Sequence, residues 1–288
     1  MSLGISQLRA LVAVVDEGSF SLAASKLGIS QSAVSHALAS LERATGQPVL
    51  TRNGAPPRPT MLGKLILEHA RSAVAAVRAV EEISTRRDGR PQGKVVFAAP
   101  PTVSHALVPA LLEQWGLEFP GVAVSLFEGE DDEVARWLDT AIVDLAVLVD
   151  PPSRPEGSVV LHSDVFHAVL SADHPLAEQD EVDVADLTDD EFLLSTGGCE
   201  RRIREIHGRA GVPFAPTHRV RQLGTLFAMV RAGIGVSIVP GLAASMMGPD
   251  VVMIPLLQQV HRTLLLTGPL TRPWHPATSA LVRFPVSM

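Results

Sequence analysis

Between Thr60 and about Arg87 the chain carries no proline and a single glycine, Gly63, close to the start of the stretch. A continuous helix over these roughly 28 residues, at about 1.5 Å each, makes a rod about 40 Å long. It divides the chain into a segment before it and a segment after it. Ile66, Ala73 and Val80 recur every seven residues, with His69, Ala76 and Ile83 at the other seam positions. Seam residues of this modest size fit a helix pair between two chains; a single helix lying on its own domain is the alternative. Asp88-Gly89-Arg90-Pro91-Gln92-Gly93 then breaks the rod and reads as a hinge. The spacing predicts three parts: a head over 1–59, a linker helix over 60–88 and a body over 89–288.

The head reads as short helices separated by Gly and Ser. Ile5, Leu8, Leu11, Val12 and Val15 fall on one helical face and Gly18 ends the run. A second helix fits Ser21–Leu27, capped by Ser19 or Ser21, and a third runs from its cap Ser30 to about Thr45. On the third, Val34, Leu38 and Leu41 form an apolar stripe. Ser32, His36, Ala39 and Arg43 lie opposite, flanked by Ser35 and Ser40. Short polar side chains let a helix backbone approach DNA and reach base edges or phosphates. The N–H groups around Ser30-Gln31-Ser32 point outward, suited to a phosphate. Helix, glycine turn and split-faced helix is the helix-turn-helix arrangement; a small bundle with a merely wet face is the alternative. Charge leans toward the first reading. Through residue 90 there are eleven basic and seven acidic residues, and beyond it 13 basic and 24 acidic, within a net charge of −7. A basic head on an acidic body suggests a polyanion-binding module joined to one with another task.

The run from Phe20 to Glu42, FSLAASKLGISQSAVSHALASLE, followed by Gly46, Pro48-Val49-Leu50, Arg52, Thr60 and Gly63, resembles the signature of LysR-type transcriptional regulators. The order of head, long helix and α/β body is similar as well. The resemblance implies an α/β protein with an α-rich winged helix-turn-helix at its N-terminus. It also implies an effector body of two α/β subdomains resembling type 2 periplasmic binding proteins, one over about 89–160 and 262–288, the other over about 161–261. Carried over by position, Gln31, Ser32, Ser35 and His36 would reach the major groove of double-stranded DNA. Arg52, Arg58 and Thr60 would sit near the backbone or minor groove. The expected assembly is a homodimer through the linker helix, commonly a homotetramer, on an interrupted palindrome, with RNA polymerase as a further partner. Ser32 stands where the family usually has proline, His36 where arginine is common, Leu50 where phenylalanine is usual, and Ala55-Pro56-Pro57 makes an unusual wing.

The body alternates β-rich runs with helical patterns, as α/β chains do. Strands are predicted at Lys94–Ala98, Val122–Phe127, Asp144–Val149, Val165–Ser171, Glu191–Ser195, His218–Gln222, Gly235–Val239 and Thr263–Thr267. Helices are predicted at Ser104–Glu113, Asp132–Leu138, Cys199–Ala210 and Thr225–Ala232. Strand-to-helix junctions are natural small-ligand sites. They supply the expected effector contacts Thr102 (as a helix cap), Ser104, Glu128, Ser195, Thr196, Cys199, Arg202 and Thr225. Arg202 fits a bidentate clamp on a carboxylate or an ion pair with Glu205 or Glu200, so an anionic effector is one expectation; Glu128 points the other way, and the ligand's charge stays open. Cys199 is the only cysteine, at a helix start beside Arg201 and Arg202, conditions that lower a thiol pKa. Gly198-Cys199-Glu200-Arg201 resembles the peroxide-sensing members by position, yet no resolving cysteine is present. Three readings remain for it: an inert thiol, a ligand contact and a redox sensor.

One cysteine excludes an intramolecular disulfide and a multi-cysteine zinc site. No apolar run approaches 18 residues, and the start, with Arg9 inside its apolar stretch, does not read as a signal peptide. A cytoplasmic protein is expected. Gly233-Ile234-Gly235 lacks a third glycine and follows a helix, so it is no dinucleotide fingerprint. His162, His167 and His174 have no accompanying metal motif, and no nucleophile elbow occurs. No catalytic residue, metal or cofactor is assigned; an enzyme or solute-binding body fused to a DNA-binding head is the competing class. The acidic clusters Glu128–Glu133 and Asp186–Glu191 are expected to be solvated helix starts.

Overall fold

The structure, a computed structural model, describes residues 3–51, 56–84 and 90–285, apart from the side chains of Glu82 and Ile83. The head is built from α1 (Ile5–Glu17), α2 (Phe20–Leu27) and α3 (Gln31–Thr45). Each ends on a glycine in the left-handed region, Gly18, Gly28 and Gly46, where a residue lacking Cβ meets no steric penalty. Ser19 and Ser30 cap α2 and α3 by accepting the N–H groups of Leu22 and Ala33, so of the two expected caps for the second helix Ser19 serves. Val34, Leu38 and Leu41 are buried against Leu11, Val14, Ala23 and Val49, each contributing roughly 1.5–3 kcal/mol. The buried face of α1 is Ala10, Leu11, Ala13 and Val14, turned from the expected Ile5–Val15 stripe. The helix is packed from more than one side, by α2, α3 and the linker helix. A short antiparallel pairing follows, Leu50 opposite Pro59, with Thr51 N–H donating to the Arg58 carbonyl at 2.8 Å. The expected contact Arg52 and the wing residue Ala55 lie outside the described residues.

The linker helix α4 spans Met61–Ser84. Thr60 caps it: its hydroxyl accepts from Gly63 N–H at 3.0 Å and donates to the Pro48 carbonyl at 2.9 Å. Gly63 touches the head so closely that an added Cβ would lie 1.9 Å from the Val49 carbonyl oxygen. Ile66, Leu67 and Ala70 close the head core from this side. Met61, Leu65, His69, Ala76 and Val80 are exposed and at 3.6 residues per turn share a stripe about 100° wide on the opposite face. The predicted seam is therefore corrected: Ile66 packs into its own subunit and Ala73 is half-buried, while Met61 and Leu65 join the outward stripe. Ion pairs tie α4 to both neighbours. Arg71 meets Asp16, and Glu81 meets Arg9 at 2.6 Å, both on the head; Arg78 meets Asp144 of the body at 2.8 Å.

The body opens with β1 (Gly93–Ala99), then α5 (Pro101–Ala106), α6 (Val108–Glu118), β2 (Val122–Glu128), α7 (Asp131–Asp139), β3 (Leu145–Val149) and β4 (Val159–Ser171). It continues with β5 (Phe192–Ser195), α8 (Glu200–Ala210), β6 (His218–Val220), α9 (Leu223–Arg231), β7 (Val236–Pro240), β8 (Val251–Pro255), β9 (His261–Thr267) and α10 (Pro276–Arg283). Strand β4 joins two lobes. Its first half, Val159–Val165, pairs antiparallel with β9 in the order β2-β1-β3-β9-β4. Its second half, Phe166–Ser171, pairs with β7 on one side and β8 on the other. The crossing expected near residue 160 thus falls inside one long strand, and the change of partners comes between Val165 and Phe166. The first lobe has cores on both faces of its sheet, around Phe97, Leu111 and Trp115 and around Val134, Leu138 and Ala146. The second is centred on Phe166, Leu194, Ile203 and Ile238, with Leu226, Phe227 and Val230 on its other face. The predicted helix Ser104–Glu113 is two helices divided at Leu107, and β8 and α10 are additions to the predicted elements. Among the described residues no helix is long and apolar enough to cross a membrane.

Candidate functional site

Two surfaces stand out. The first is the outer side of α3. Ser30, Gln31, Ser32, Ser35, His36 and Arg43 are all exposed, while Val34 and Leu41 are fully buried. Ser30 and Ser32 hydroxyls lie 2.9 Å apart, Ser21 donates to Gln31 Oε1 at 3.0 Å, and Arg43 has no ion pair among the described residues. Arg58 is exposed on the short antiparallel pairing that follows α3. Thr60 differs from expectation because both bonding directions of its hydroxyl are spent inside the head.

The second surface is a cleft between the lobes, at the carboxyl ends of β1, β2, β5, β6 and β7, where α/β sheets commonly hold ligands. A cavity of about 480 Å³ is lined from the first lobe by Pro100, Pro101, Thr102 and Glu128–Asp131, and from the second by Ser195, Gly197, Cys199 and Arg221–Gly224. Ile238, Val239, Pro240 and Met246 give it an apolar wall, and Arg262 lies at its base. An adjoining chamber of about 820 Å³ shares Glu130, Asp131, Glu133, Cys199 and Arg262, and adds Asp150, Thr196 and Arg202. Several polar contacts span the lobes. Arg221 pairs with Glu130 at 2.7 Å and Glu133 at 3.3 Å, and Arg202 with Asp150 at 2.8 Å. The Arg262 guanidinium is buried, held at 2.6 Å by Asp164, and donates to Thr102 Oγ1 at 3.1 Å. Gly198 passes Asp131 so closely, at φ +98°, that a Cβ there would fall 2.4 Å from the carboxylate.

This geometry corrects several expectations. Pro100, not Thr102, caps α5; Thr102 sits in the first turn and faces Arg262. The Ser104 hydroxyl donates to the Ala99 carbonyl at 3.3 Å and does not line the cavity. Thr225 is exposed in the first turn of α9 and lines neither chamber. The Arg202 guanidinium is taken by Asp150 and Glu205, so the ion-pair alternative describes it. Cys199 packs against the second-lobe core, and burial, reinforced by Asp131, pushes its thiol up to about 12. Desolvation of the thiolate outweighs the pull of Arg262, opposite to the lowering expected from the sequence. The acidic cluster is not all solvated: burial pushes the Asp131 carboxyl up to about 6, against the pull of Arg262 and with added repulsion from Asp132, Asp150 and Glu130. Sequence reasoning passed over Asp131, Arg221 and Arg262. The one usable signal was a charged residue opening the apolar strand Thr263–Thr267. His174 meets Asp190 at 3.3 Å and His167 its neighbouring Val165 carbonyl, and among the described residues no cluster of potential metal ligands occurs.

Residues 88–286 match the family described as LysR substrate binding domain, and residues 5–64 that described as bacterial regulatory helix-turn-helix protein, lysR family. The chain belongs to the LysR family. It is 30% identical to the uncharacterized HTH-type transcriptional regulator YvbU of Bacillus subtilis (strain 168), over 92% of this chain and 91% of that one. Its fold is similar to a full-length OxyR variant from Pseudomonas aeruginosa, with a TM-score of 0.76 and 21% identity over 98% of each chain. It is also similar to full-length CbnR complexed with its target DNA, with a TM-score of 0.67 and 22% identity over 97% of this chain and 99% of that one. This LysR chain is thus a DNA-binding transcriptional regulator with an effector-binding body; the matching families are regulators and not enzymes.

Proposed function

We propose that this LysR regulator lays α3 in the major groove, with Ser30, Gln31, Ser32, Ser35 and His36 at base edges and nearby phosphates. Arg43 and Arg58 sit against the backbone. The observation that carries this reading is the split of α3, core on one side and short, unburied polar groups on the other. Thr60 is left out of the contact set because it caps α4. Two heads are joined by the outward stripe of α4 packed on a second copy, which sets two half-sites at fixed spacing. A dimer of such dimers on an interrupted palindrome, acting on RNA polymerase in the cytoplasm, completes the assembly. The similar CbnR structure is a complex with that protein's target DNA, which supports the same use of this head. The body takes a small effector in the cleft, touching Thr102, Glu128, Ser195 and Cys199. By favouring one setting of the lobes by about 1–3 kcal/mol, the effector changes the spacing of the heads. Thiol sensing through Cys199 is not adopted, because a thiol held far above its ordinary range is a poor nucleophile.

The test maps the bound DNA in cells and repeats the binding with purified protein. His36→Ala and Gln31→Ala are expected to lower affinity for the mapped site by about 1–3 kcal/mol each while leaving non-specific binding unchanged. Equal binding of mapped and scrambled sites, unaltered by both variants, would refute the groove assignment.

A further inference from the structure

We infer that the effector of this cleft is a small organic cation, an ammonium or amidinium on an apolar body, held by Asp131 and Glu128 with Ser195 as a hydrogen-bonding neighbour. This rests on the reading of the cleft as the effector site.

Four carboxylates line the cavity, those of Glu128, Glu130, Asp131 and Glu133, against two guanidiniums, Arg221 and Arg262. Both guanidiniums are engaged, Arg221 by Glu130 and Glu133 and Arg262 by Asp164. Among the described residues no hydrogen bond or ion pair reaches the carboxylates of Glu128 and Asp131. An anionic ligand would add a charge beside four carboxylates and would have to share each guanidinium with the carboxylates that already hold it. Of the helix starts that open on the cavity, that of α5 offers it little. Pro101 has no N–H, and the N–H groups of Val103 and Ser104 donate to the Pro100 carbonyl.

Ser195 supplies an independent observation. It is only 5% exposed and lines the cavity, yet among the described residues its hydroxyl has no hydrogen-bond partner. Its oxygen is not sealed off from the cavity, so this hydroxyl is open to a ligand, as acceptor for an N–H or donor to a second polar group. The space of about 480 Å³ suits a small metabolite. Leu223, Ile238, Val239 and Met246 can cover an aliphatic or aromatic body while the cationic end meets Asp131. A cation also relieves the strain that burial places on this carboxylate.

The test is calorimetric titration of the full-length protein with amines and acids on matched skeletons: hexylamine with heptanoate, phenethylamine with hydrocinnamate, putrescine with adipate. At least one amine is expected to bind with its acid counterpart silent. Asp131→Asn is expected to weaken that amine tenfold or more, Glu128→Gln several-fold, and Leu223→Trp, which fills the cavity, to abolish it. Binding of acids and not amines, lost in Leu223→Trp, overturns the cationic assignment and leaves the cleft reading standing. Amine binding that survives both carboxylate variants also overturns the assignment. Silence of every compound overturns both readings.

Discussion

Asp131 carries a charge that the folded chain accommodates poorly, and replacing it with asparagine turns that statement into a pH-dependent number. The folded carboxyl titrates at about 6 instead of 3.8. At about 1.4 kcal/mol per pH unit this sets a ceiling of about 3 kcal/mol on the neutral-pH penalty. The sign follows from proton binding. The folded state holds this proton more tightly than the unfolded chain, so wild-type stability falls as pH rises through the interval from 3.8 to about 6 and is flat above it. The asparagine side chain of the Asp131→Asn variant has no such proton to lose. The variant's advantage should therefore be about 1 kcal/mol near pH 4.5 and grow to about 3 near pH 7.5. Losing the favourable charge at the start of α7 subtracts roughly 0.3–1 kcal/mol. Trp115, Trp137 and Trp274 all lie in the body, so urea denaturation followed by tryptophan fluorescence at several pH values reports the relevant unit. A stability difference that does not change with pH, or a variant weaker than wild type at neutral pH, would show that the carboxylate is already compensated. The cation inference would then lose its driving force. Arg262, Asp132, Asp150 and Glu130 share the field at this carboxyl, so the same titration in Arg262→Met should shift the effect to higher pH.

Gly63→Ala forces a Cβ into the Val49 carbonyl and should destabilise the head by more than about 2 kcal/mol; loss of DNA binding with unchanged body fluorescence would be its signature. Arg262→Met strands the buried Asp164 carboxylate and should remove about 3–5 kcal/mol from the body, most of it regained when Asp164→Leu is added; urea midpoints of the single and double variants decide this. Iodoacetamide should modify Cys199 on the order of a thousandfold more slowly than an ordinary thiol near pH 8, because so little thiolate is present; a rate close to that of a free thiol would contradict the upward shift of its thiol.

The head was the most legible part of the chain. Its caps, left-handed glycines and 3.6-residue period act over four residues or fewer, so α2 and α3 follow from local sequence to within one residue. The strands were legible in type but less so in length. Val159–Asp164, with His162, Ser163 and Asp164, becomes strand only because β9 lies alongside, and β8 likewise depends on β4. In the cleft, Thr102, Glu128, Ser195 and Cys199 were legible as candidates because strand ends aim their neighbours at a common crevice. Ser104 and Thr225, at the same kind of junction, point elsewhere, since one helical step decides which way a side chain faces.

Sequence alone determined the order of parts: a split-faced helix in a small basic head, a rod, and an α/β body. These rest on periodicity, capping and covalent restraint, whose range is a few residues. Tertiary structure decided the electrostatics of the cleft. Asp164 holds Arg262 from 98 residues away, and Asp131 meets Gly198 and Cys199 across the gap between lobes. Whether a carboxylate is solvated, paired or left wanting a cation depends on which distant groups the fold brings within a few ångströms and on how much water they displace.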